Sequence, residues 1–166
     1  MSIVSYIILG CIFIHGDVMM GKVDEFYVAV GEAVTVALAT AADGVVSMRV
    51  VSPVLYDGGI LFFTAADSRK YRQLAANPVC CVSVGPFFAE ATAEFLHGCM
   101  LPENGALRDA YCAKFPDAFA EGVAFGGRGS EFVLLHPTRL SGWAFPDDVP
   151  TAEGIPTVPF DIAIES

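Results

Sequence analysis

Short runs of β-branched and aromatic residues, separated by turn signals, make up most of the chain. Residues 34–40, 45–55 and 60–64 are three such runs, and Asp-Gly pairs between them mark tight connections, so this part predicts a three-strand meander. Many short antiparallel strands with only brief helices indicate a closed or split β-barrel. The same pattern predicts four further strands, at residues 79–85, 87–96, 131–136 and 139–145.

The alternation within two strands predicts which face of each is buried. In the strand that contains Arg49, a period of two places Val46, Met48 and Val50 on the core face and Arg49 on the opposite face with Ser47 and Val51. In the strand at 87–96 the polar positions form one wet face. The small residues of its other face would permit close packing against a partner, and they are Ala89, Ala91 and Ala93.

The helices predicted between the strands are short. Residues 71–76 form a brief helix that Asp67 or Ser68 can cap at its start and Asn77-Pro78 ends. Residues 102–121 form a longer helical segment, which Pro116 must interrupt. Its apolar positions recur every four residues, at Leu107, Tyr111, Phe115 and Phe119.

Charge is distributed unevenly along this chain. Its 166 residues carry nineteen acidic and nine basic side chains, a formal net charge of −10. Four of the nine cations are Arg49, Arg69, Lys70 and Arg72. The basic pair 69–70 falls at a predicted helix N-terminus, where free N–H groups and the helix dipole favour an anion. A small phosphate-bearing ligand fits this cluster, whereas the acidic field repels nucleic acid.

These residues resemble a known family. Arg49-Val-Val, Phe63-Thr64 and the run from Thr64 through Ser68-Arg69-Lys70 to Asn77-Pro78 are similar in order and spacing to the FMN-binding split barrels of the pyridoxamine 5'-phosphate oxidase type. A looser similarity extends from about Val34 to Phe145. The resemblance implies a mainly β fold, an antiparallel, Greek-key-like split barrel of six to seven strands with short helices.

The resemblance also implies a cofactor, its site and an oligomeric state. FMN would be bound with its phosphate and ribityl end near Arg49, Ser68, Arg69 and Lys70, and with its flavin near Val50, Val51, Ser52, Phe63 and Thr64. Gln73 lies one helical turn beyond Lys70 and either reaches the ring or occupies a solvated position. The family implies a homodimer with two FMN sites at its interface, and a mean hydropathy of +0.56 gives weaker support for an apolar interface.

Departures from the family restrict the expected activity. The chain ends without the Arg-x-His motif with which the oxidase proper holds its substrate, so vitamin B6 oxidation is not expected. Thr64 stands where nitroimidazole-resistance relatives often have histidine, and Ala91 replaces the glycine of a Glu-Gly-Thr-Ala-Glu strand. The expected function is an FMN-dependent oxidoreductase of unassigned substrate or electron donor, with no catalytic residue named. The alternatives are a non-catalytic FMN-binding or electron-carrier module, and a deazaflavin-dependent reductase.

Composition and cysteine spacing predict the domain boundaries and the cellular location. A 54% hydrophobic chain of this length indicates one core, placed at residues 21–150 with a C-terminal tail at 151–166. Residues 1–20 are an apolar extension, either an element packed on the barrel or, as favoured here, a translated segment upstream of a start at Met19 or Met20. Its apolar run is too short to span a membrane. Five cysteines without metal-ligand spacing indicate reduced thiols of a cytoplasmic protein and no metal site, and His97, His136 and Trp143 are interpreted as structural.

Overall fold

A computed structural model describes residues 21–126, 129–144 and 158–164. The first helix, α1, covers residues 21–32 of the described chain. The elements that follow are β1 (Val36–Ala42), β2 (Val45–Val51), β3 (Val54–Tyr56), β4 (Gly59–Ala65), α2 (Arg69–Ala76), β5 (Val79–Val84), β6 (Phe87–Gly98), a 3-10 turn (Pro102–Asn104), α3 (Gly105–Lys114), α4 (Pro116–Gly126), β7 (Ser130–Ala144) and β8 (Val158–Ala163). The predicted extension at residues 1–20 lies outside the described residues.

The strands form one antiparallel sheet of eight. They join in the order β2-β1-β5-β6-β7-β4-β3, and β8 pairs with β7. The prediction of a mainly β, antiparallel fold with short helices is confirmed, whereas the expected count of six to seven strands is too low. Both Asp-Gly turns are also as predicted: Asp43, Gly44, Asp57 and Gly58 have φ values of 50°, 74°, 47° and 72°, as two-residue hairpins require.

One predicted strand is in fact two strands that belong to different parts of the sheet. Residues 45–55 divide into β2, which pairs with β1, and β3, which pairs with β4. Pro53 stands between them and has no N–H to donate to a ladder. The predicted three-strand meander is therefore wrong beyond its first hairpin, since β4 pairs with β3 and β7 and not with β2.

Two other predicted strands are one. Strand β7 continues through Pro137, which lies opposite Ala91 where the pairing with β6 shifts register, and such a bulge tolerates proline. The first half of β7 pairs with β4 and the second half with β8. The segment expected as a tail thus contributes β8, and the barrel extends beyond the predicted boundary at residue 150.

The sheet separates two apolar clusters. The inner cluster collects side chains from β1, β2, β4 to β8, α1 and α2, so the sheet curls around it as a barrel. The outer cluster lies between the β3–β4–β7 part of the sheet and helices α3 and α4, and it includes Tyr111, Phe119 and Phe132. The helical segment is interrupted at Phe115-Pro116 as predicted.

The buried face of β2 is the reverse of the prediction. Val46, Met48 and Val50 are 70%, 73% and 65% exposed, whereas Val51 lies in the inner cluster. Alternation identifies two faces without saying which is inside, and the more apolar face is the expected core. In this fold the inward face carries Ser47 and Arg49. Ser47 Oγ donates to Gln73 Oε1 and Arg49 Nη1 donates to Thr40 Oγ1, so part of their hydrogen-bonding groups is paired with other side chains.

The alternation of β6 is confirmed, but its small residues have another role than expected. Glu90, Thr92 and Glu94 are exposed. Ala89, Ala91 and Ala93 lie in the inner cluster and are unavailable to a partner, so that part of the prediction is wrong. No helix among the described residues is long and apolar enough to cross a membrane.

Candidate functional site

Helix α2 begins directly after β4 at a turn that collects hydroxyl groups. Ser68 is the N-cap, and its Oγ accepts a hydrogen bond from the Tyr71 N–H at 3.3 Å. The same Oγ lies 3.1 Å from Thr64 Oγ1. The first turn of a helix leaves backbone N–H groups without intrahelical partners and carries the positive end of the helix dipole. The capping prediction is confirmed at Ser68, and the turn favours an anion.

Three cationic side chains gather beside this turn. Burial lowers the pKa of Arg49, and the charge of Arg69 lowers it further. Burial likewise lowers the pKa of Lys70, and the charge of Arg49 adds to that effect. The ion pairs among the described residues involve none of the three, because they join Lys22 to Glu25, His136 to Glu94 and Arg139 to Asp161. The cluster is therefore a concentration of positive charge in an acidic chain.

Two cavities border the basic pair. A cavity of about 640 Å³ is lined by Lys70, Thr64 and Phe63, by residues 65–67 of the capping turn, and by Gly122 and Gly129. A smaller cavity of about 350 Å³ includes Arg69, Arg72 and Gln73 in its lining. The lining of the larger cavity combines the apolar ring of Phe63 with the Lys70 ammonium, the Thr64 hydroxyl and the Asp67 carboxylate. That composition suits a ligand with a flat apolar part and an anionic end.

Gln73 lies beneath the β1–β2 hairpin. It is 6% exposed, so the predicted solvated position is wrong. Its Oε1 accepts hydrogen bonds from Thr40 Oγ1 at 2.7 Å, Ser47 Oγ at 2.6 Å and Arg49 Nη2 at 3.2 Å. One turn later, Asn77 Nδ2 donates to the Ala41 carbonyl at 3.1 Å. These two side chains fasten α2 to the hairpin and bring Arg49 to the helix N-terminus.

The structure therefore brings six of the ten predicted site residues together. They are Arg49, Thr64, Ser68, Arg69, Lys70 and Gln73. Phe63 lines the larger cavity and also packs edge-on against Tyr111, at a centroid distance of 5.0 Å.

The other three predicted site residues lie at or beyond the end of β2. Val50 faces outward, Val51 is buried in the inner cluster, and the Ser52 carbonyl accepts a hydrogen bond from Tyr111 Oη. The Val51 side chain is in the core, so Val51 could contact a ligand only through its backbone.

Four other side chains were considered for chemistry, and they are Cys80, Cys81, His136 and Trp143. Burial raises the pKa of Cys80 to about 12 and also raises the pKa of Cys81, so neither favours a thiolate. His136, interpreted as structural, has a carboxylate partner, because its Nε2 lies 2.7 Å from Glu94 Oε2. The two residues occupy facing strands, a long-range pairing that sequence spacing does not reveal. Trp143 is 48% exposed near the end of β7.

Comparisons with known proteins match this picture. A model of the pyridoxamine 5'-phosphate oxidase family matches residues 22–130, which is well over half of the chain and includes the whole cation cluster. The chain belongs to this family. No curated protein matches the chain.

Several solved structures share the fold. A FAD-binding protein from Mesorhizobium loti has a TM-score of 0.56 and 19% identity, over 71% of this chain and 91% of that one. A pyridoxamine 5'-phosphate oxidase-like protein from Listeria innocua has a TM-score of 0.54 and 11% identity, over 72% and 95%. A heme binding protein from Mycobacterium smegmatis has a TM-score of 0.56 and 17% identity, over 78% and 55%. At these identities the likeness shows the split-barrel fold alone.

Proposed function

We propose that the protein binds FMN at the N-terminus of α2. The observation that carries this proposal is the cluster of Arg49, Arg69 and Lys70, which form no carboxylate pair among the described residues. Burial and the charge of Arg69 lower the pKa of Arg49, and burial and the charge of Arg49 lower the pKa of Lys70. Gathering like charges is unfavourable unless an anion joins them. A phosphate monoester supplies two negative charges and several acceptor oxygens for such a cluster.

The residues present suit the parts of FMN. Arg49, Arg69, Lys70 and the Ser68 hydroxyl would hold the phosphate. Thr64 and the apolar ring of Phe63 line the adjoining cavity of about 640 Å³, which is large enough to receive part of a flavin. One compact cluster is better matched to a single phosphate than to the diphosphate of FAD. The family name and the FAD-binding relative support a flavin in general, and the choice of FMN is our proposal.

We propose that the bound flavin makes the protein an oxidoreductase. Flavin supplies two-electron transfer, whereas the protein supplies binding, orientation and a water-poor pocket. Among the described residues lining the larger cavity, Asp67 is left to offer a carboxylate for substrate contacts. The substrate or electron donor is a small molecule that reaches the flavin through this cavity.

We further propose that two chains form a homodimer through the outer face of β2 and its neighbours. Val46, Met48 and Val50 form an exposed apolar row on β2, and their cross-strand partners on β1 are Ala41, Ala39 and Ala37. A contiguous apolar surface of this kind marks an interaction site. Arg49 lies on the same strand with its side chain on the opposite face, and β2 stands at one end of the strand order, so a partner seated on the outer face would reach the proposed FMN site around this edge.

The location proposed for the protein is the cytoplasm. The four cysteines of the described residues are free, and two of them, Cys80 and Cys99, are buried. Reduced thiols are the usual state of cysteines in that compartment.

The test of the proposed function is the spectrum of the purified protein, followed by release and identification of the chromophore. FMN released in about one equivalent per chain supports the proposal. A deazaflavin, FAD or haem in its place contradicts it, and so does a colourless protein that fails to quench FMN fluorescence on titration. With FMN bound, reduction of the flavin by NADH or NADPH at a useful rate supports an enzyme, whereas a flavin that no small reductant reaches supports the non-catalytic FMN module.

A further inference from the structure

We infer that Gln73 and Thr40 form a positioning device that holds the Arg49 guanidinium with two donors directed to the ligand phosphate, an inference that rests on the proposed FMN function. Both residues are buried, with Thr40 2% and Gln73 6% exposed. Neither belongs to the cation cluster itself. Both are hydrogen-bonded to Arg49, and through it they act on the site.

The donors of Arg49 are divided between the protein and the site. A guanidinium has five N–H donors in a planar fork. Nη1 donates to Thr40 Oγ1 at 2.6 Å and to the Leu38 carbonyl at 3.3 Å, and Nη2 donates to Gln73 Oε1 at 3.2 Å. The Nε–H and the second hydrogen of Nη2 have no acceptor among the described residues. These two lie side by side, which is the edge of arginine that binds phosphate in a bidentate manner.

Gln73 is held in one orientation by its own partners. Its Nε2 donates to the Val45 carbonyl at 2.9 Å, so Oε1 faces Arg49. A reversed amide would set NH₂ donors against guanidinium donors. Thr40 completes the link, because its hydroxyl accepts from Arg49 and donates to Gln73 at 2.7 Å.

The Gln73 side chain is a neutral amide, so it does not cancel the positive charge of Arg49. Oε1 has two lone pairs but receives three donors, and the longest of the three bonds is the one from Arg49. Gln73 therefore positions the Arg49 guanidinium without neutralising its charge, and the second hydrogen of Nη2 is available for a hydrogen bond to phosphate. A carboxylate at position 73 would instead form an ion pair with Arg49 and compete with the ligand.

The test compares the affinities of FMN and riboflavin, which share the flavin and ribityl groups and differ in the phosphate. Positioning of Arg49 acts only on the phosphate, so it changes the ratio of the two affinities, whereas a merely structural defect weakens both alike. Gln73→Glu and Thr40→Val should each lower the ratio by about tenfold or more, as expected for a lost charge-assisted contact. Thr40→Ser keeps the hydroxyl and should restore the parent ratio.

Ser47→Ala is the matched control, because Ser47 also donates to Gln73 but does not contact Arg49. It should leave the ratio unchanged. If Gln73→Glu and Thr40→Val both keep the ratio within about twofold of the parent, Arg49 is not positioned by this pair and the inference is overturned. If Gln73→Glu fails to fold, the contrast between Thr40→Val and Thr40→Ser decides the matter.

A measurement without flavin separates this inference from the proposed function. In ¹⁵N-labelled protein the Arg49 guanidinium, assigned by its loss in Arg49→Ala, should show slowed rotation in the parent and in Thr40→Ser and free rotation in Thr40→Val. Identical Arg49 signals in parent and Thr40→Val would overturn the inference. A parent protein that shows this difference but binds no FMN would refute the proposed function alone.

Discussion

At the scale of single residues, the site is defined by cations that repel one another. Lys70 and Arg49 each have a lowered pKa from burial and from a neighbouring positive charge. A bound phosphate would raise the pKa of both side chains, since an opposite charge stabilises the protonated form. Each cation therefore contributes more to binding than to the stability of the free protein.

Removing either cation should weaken FMN binding. Arg49→Ala and Lys70→Ala should each cost about 1.5–3 kcal/mol of binding free energy, the range for hydrogen bonds to charged groups, with little change in unfolding free energy. Arg139→Ala is the charge-matched control, because Arg139 pairs with Asp161 outside the cluster. Fluorescence quenching gives the dissociation constants. A parent-like affinity in one of the site variants would show that its side chain is only a surface charge.

The lowered pKa of Lys70 predicts a dependence of affinity on alkaline pH. In the free protein the pKa lies below the ordinary value of 10.5, and a bound phosphate raises it. Affinity is therefore full below the lowered pKa and falls as pH rises through it, by up to about tenfold per pH unit. Lys70→Arg stays protonated and should lack this fall. An equal fall in parent and variant would assign it to the flavin or to another group.

Sequence patterns found those parts of the site that depend on near neighbours. The Ser68 cap, the basic pair and the end of α2 at Asn77 all follow from residues within one or two turns. The role of Gln73 does not, because its partners Thr40, Ser47 and Arg49 are more than twenty residues away in sequence. The signal available was a glutamine followed four residues later by an asparagine, which places two amides on one face of a helix.

At the scale of elements, α3 and α4 cover the outer side of β4, and two contacts fix their position on the sheet. Gly122 of α4 packs directly on the ring of Phe63, which lines the larger cavity. Lys114, near the end of α3, donates to the Val30 carbonyl at 3.3 Å and to the Pro53 carbonyl at 2.9 Å. These contacts join the helices to the site and to the break between β2 and β3.

A methyl group at Gly122 should displace α4. An added Cβ would overlap the Phe63 ring, and overpacking of this kind costs about 1–3 kcal/mol of unfolding free energy. Gly105→Ala in α3 is the control, because its Cβ would meet only Arg108 Nη2 at 3.7 Å and alanine favours a helix. Urea unfolding measures both. Equal unfolding free energies of the two variants would show that α4 can shift without loss of stability.

Replacing Lys114 tests the second contact. Lys114→Met keeps the apolar stem but removes both hydrogen bonds, and it should lower the unfolding free energy by about 1.5–3 kcal/mol. Lys22→Met is the comparison, because the pair with Glu25 lies three residues apart on a helix and is worth about 0.2–0.5 kcal/mol. If the two variants lose the same stability in urea, Lys114 does not fasten α1 to the β2–β3 connection.

Helices and strands could be predicted from the sequence where turn residues or prolines mark their ends. The pairing of the strands could not be predicted in this way. Asp-Gly turns fixed both hairpins, and Pro116 fixed the end of α3. The division of residues 45–55 depends on which strand accepts each half, and β8 depends on pairing with β7. The inward face of β2 depends on α2 lying beneath it, since Gln73 of α2 accepts hydrogen bonds from both Ser47 and Arg49.

At the scale of the whole molecule, the outer face of β2 remains apolar and exposed. Val46, Met48 and Val50 stand on β2 beside the small residues of β1. In the proposed homodimer this face is covered, and the two FMN sites lie at the interface. The two properties are then linked, because a variant that separates the chains also opens the site to water.

A charge placed on this face should separate the chains. Met48→Glu should give a monomeric mass by light scattering and weaker FMN binding, because burying an unpaired carboxylate is unfavourable. Val28→Glu is the control, since Val28 is also exposed, at 58%, but lies on α1. A dimeric Met48→Glu protein, or a monomeric parent that still binds FMN, would contradict the proposed interface.

The central claim is that the cluster at the start of α2 recognises the phosphate of a flavin. The most direct measurement is a pair of titrations, FMN and riboflavin, with the parent protein and with Arg49→Ala. The parent should bind FMN at least about tenfold more tightly than riboflavin, as charge-assisted contacts to phosphate require, and Arg49→Ala should lose most of this preference. Equal affinity of the parent for FMN and riboflavin, or a preference that survives Arg49→Ala unchanged, would contradict this claim.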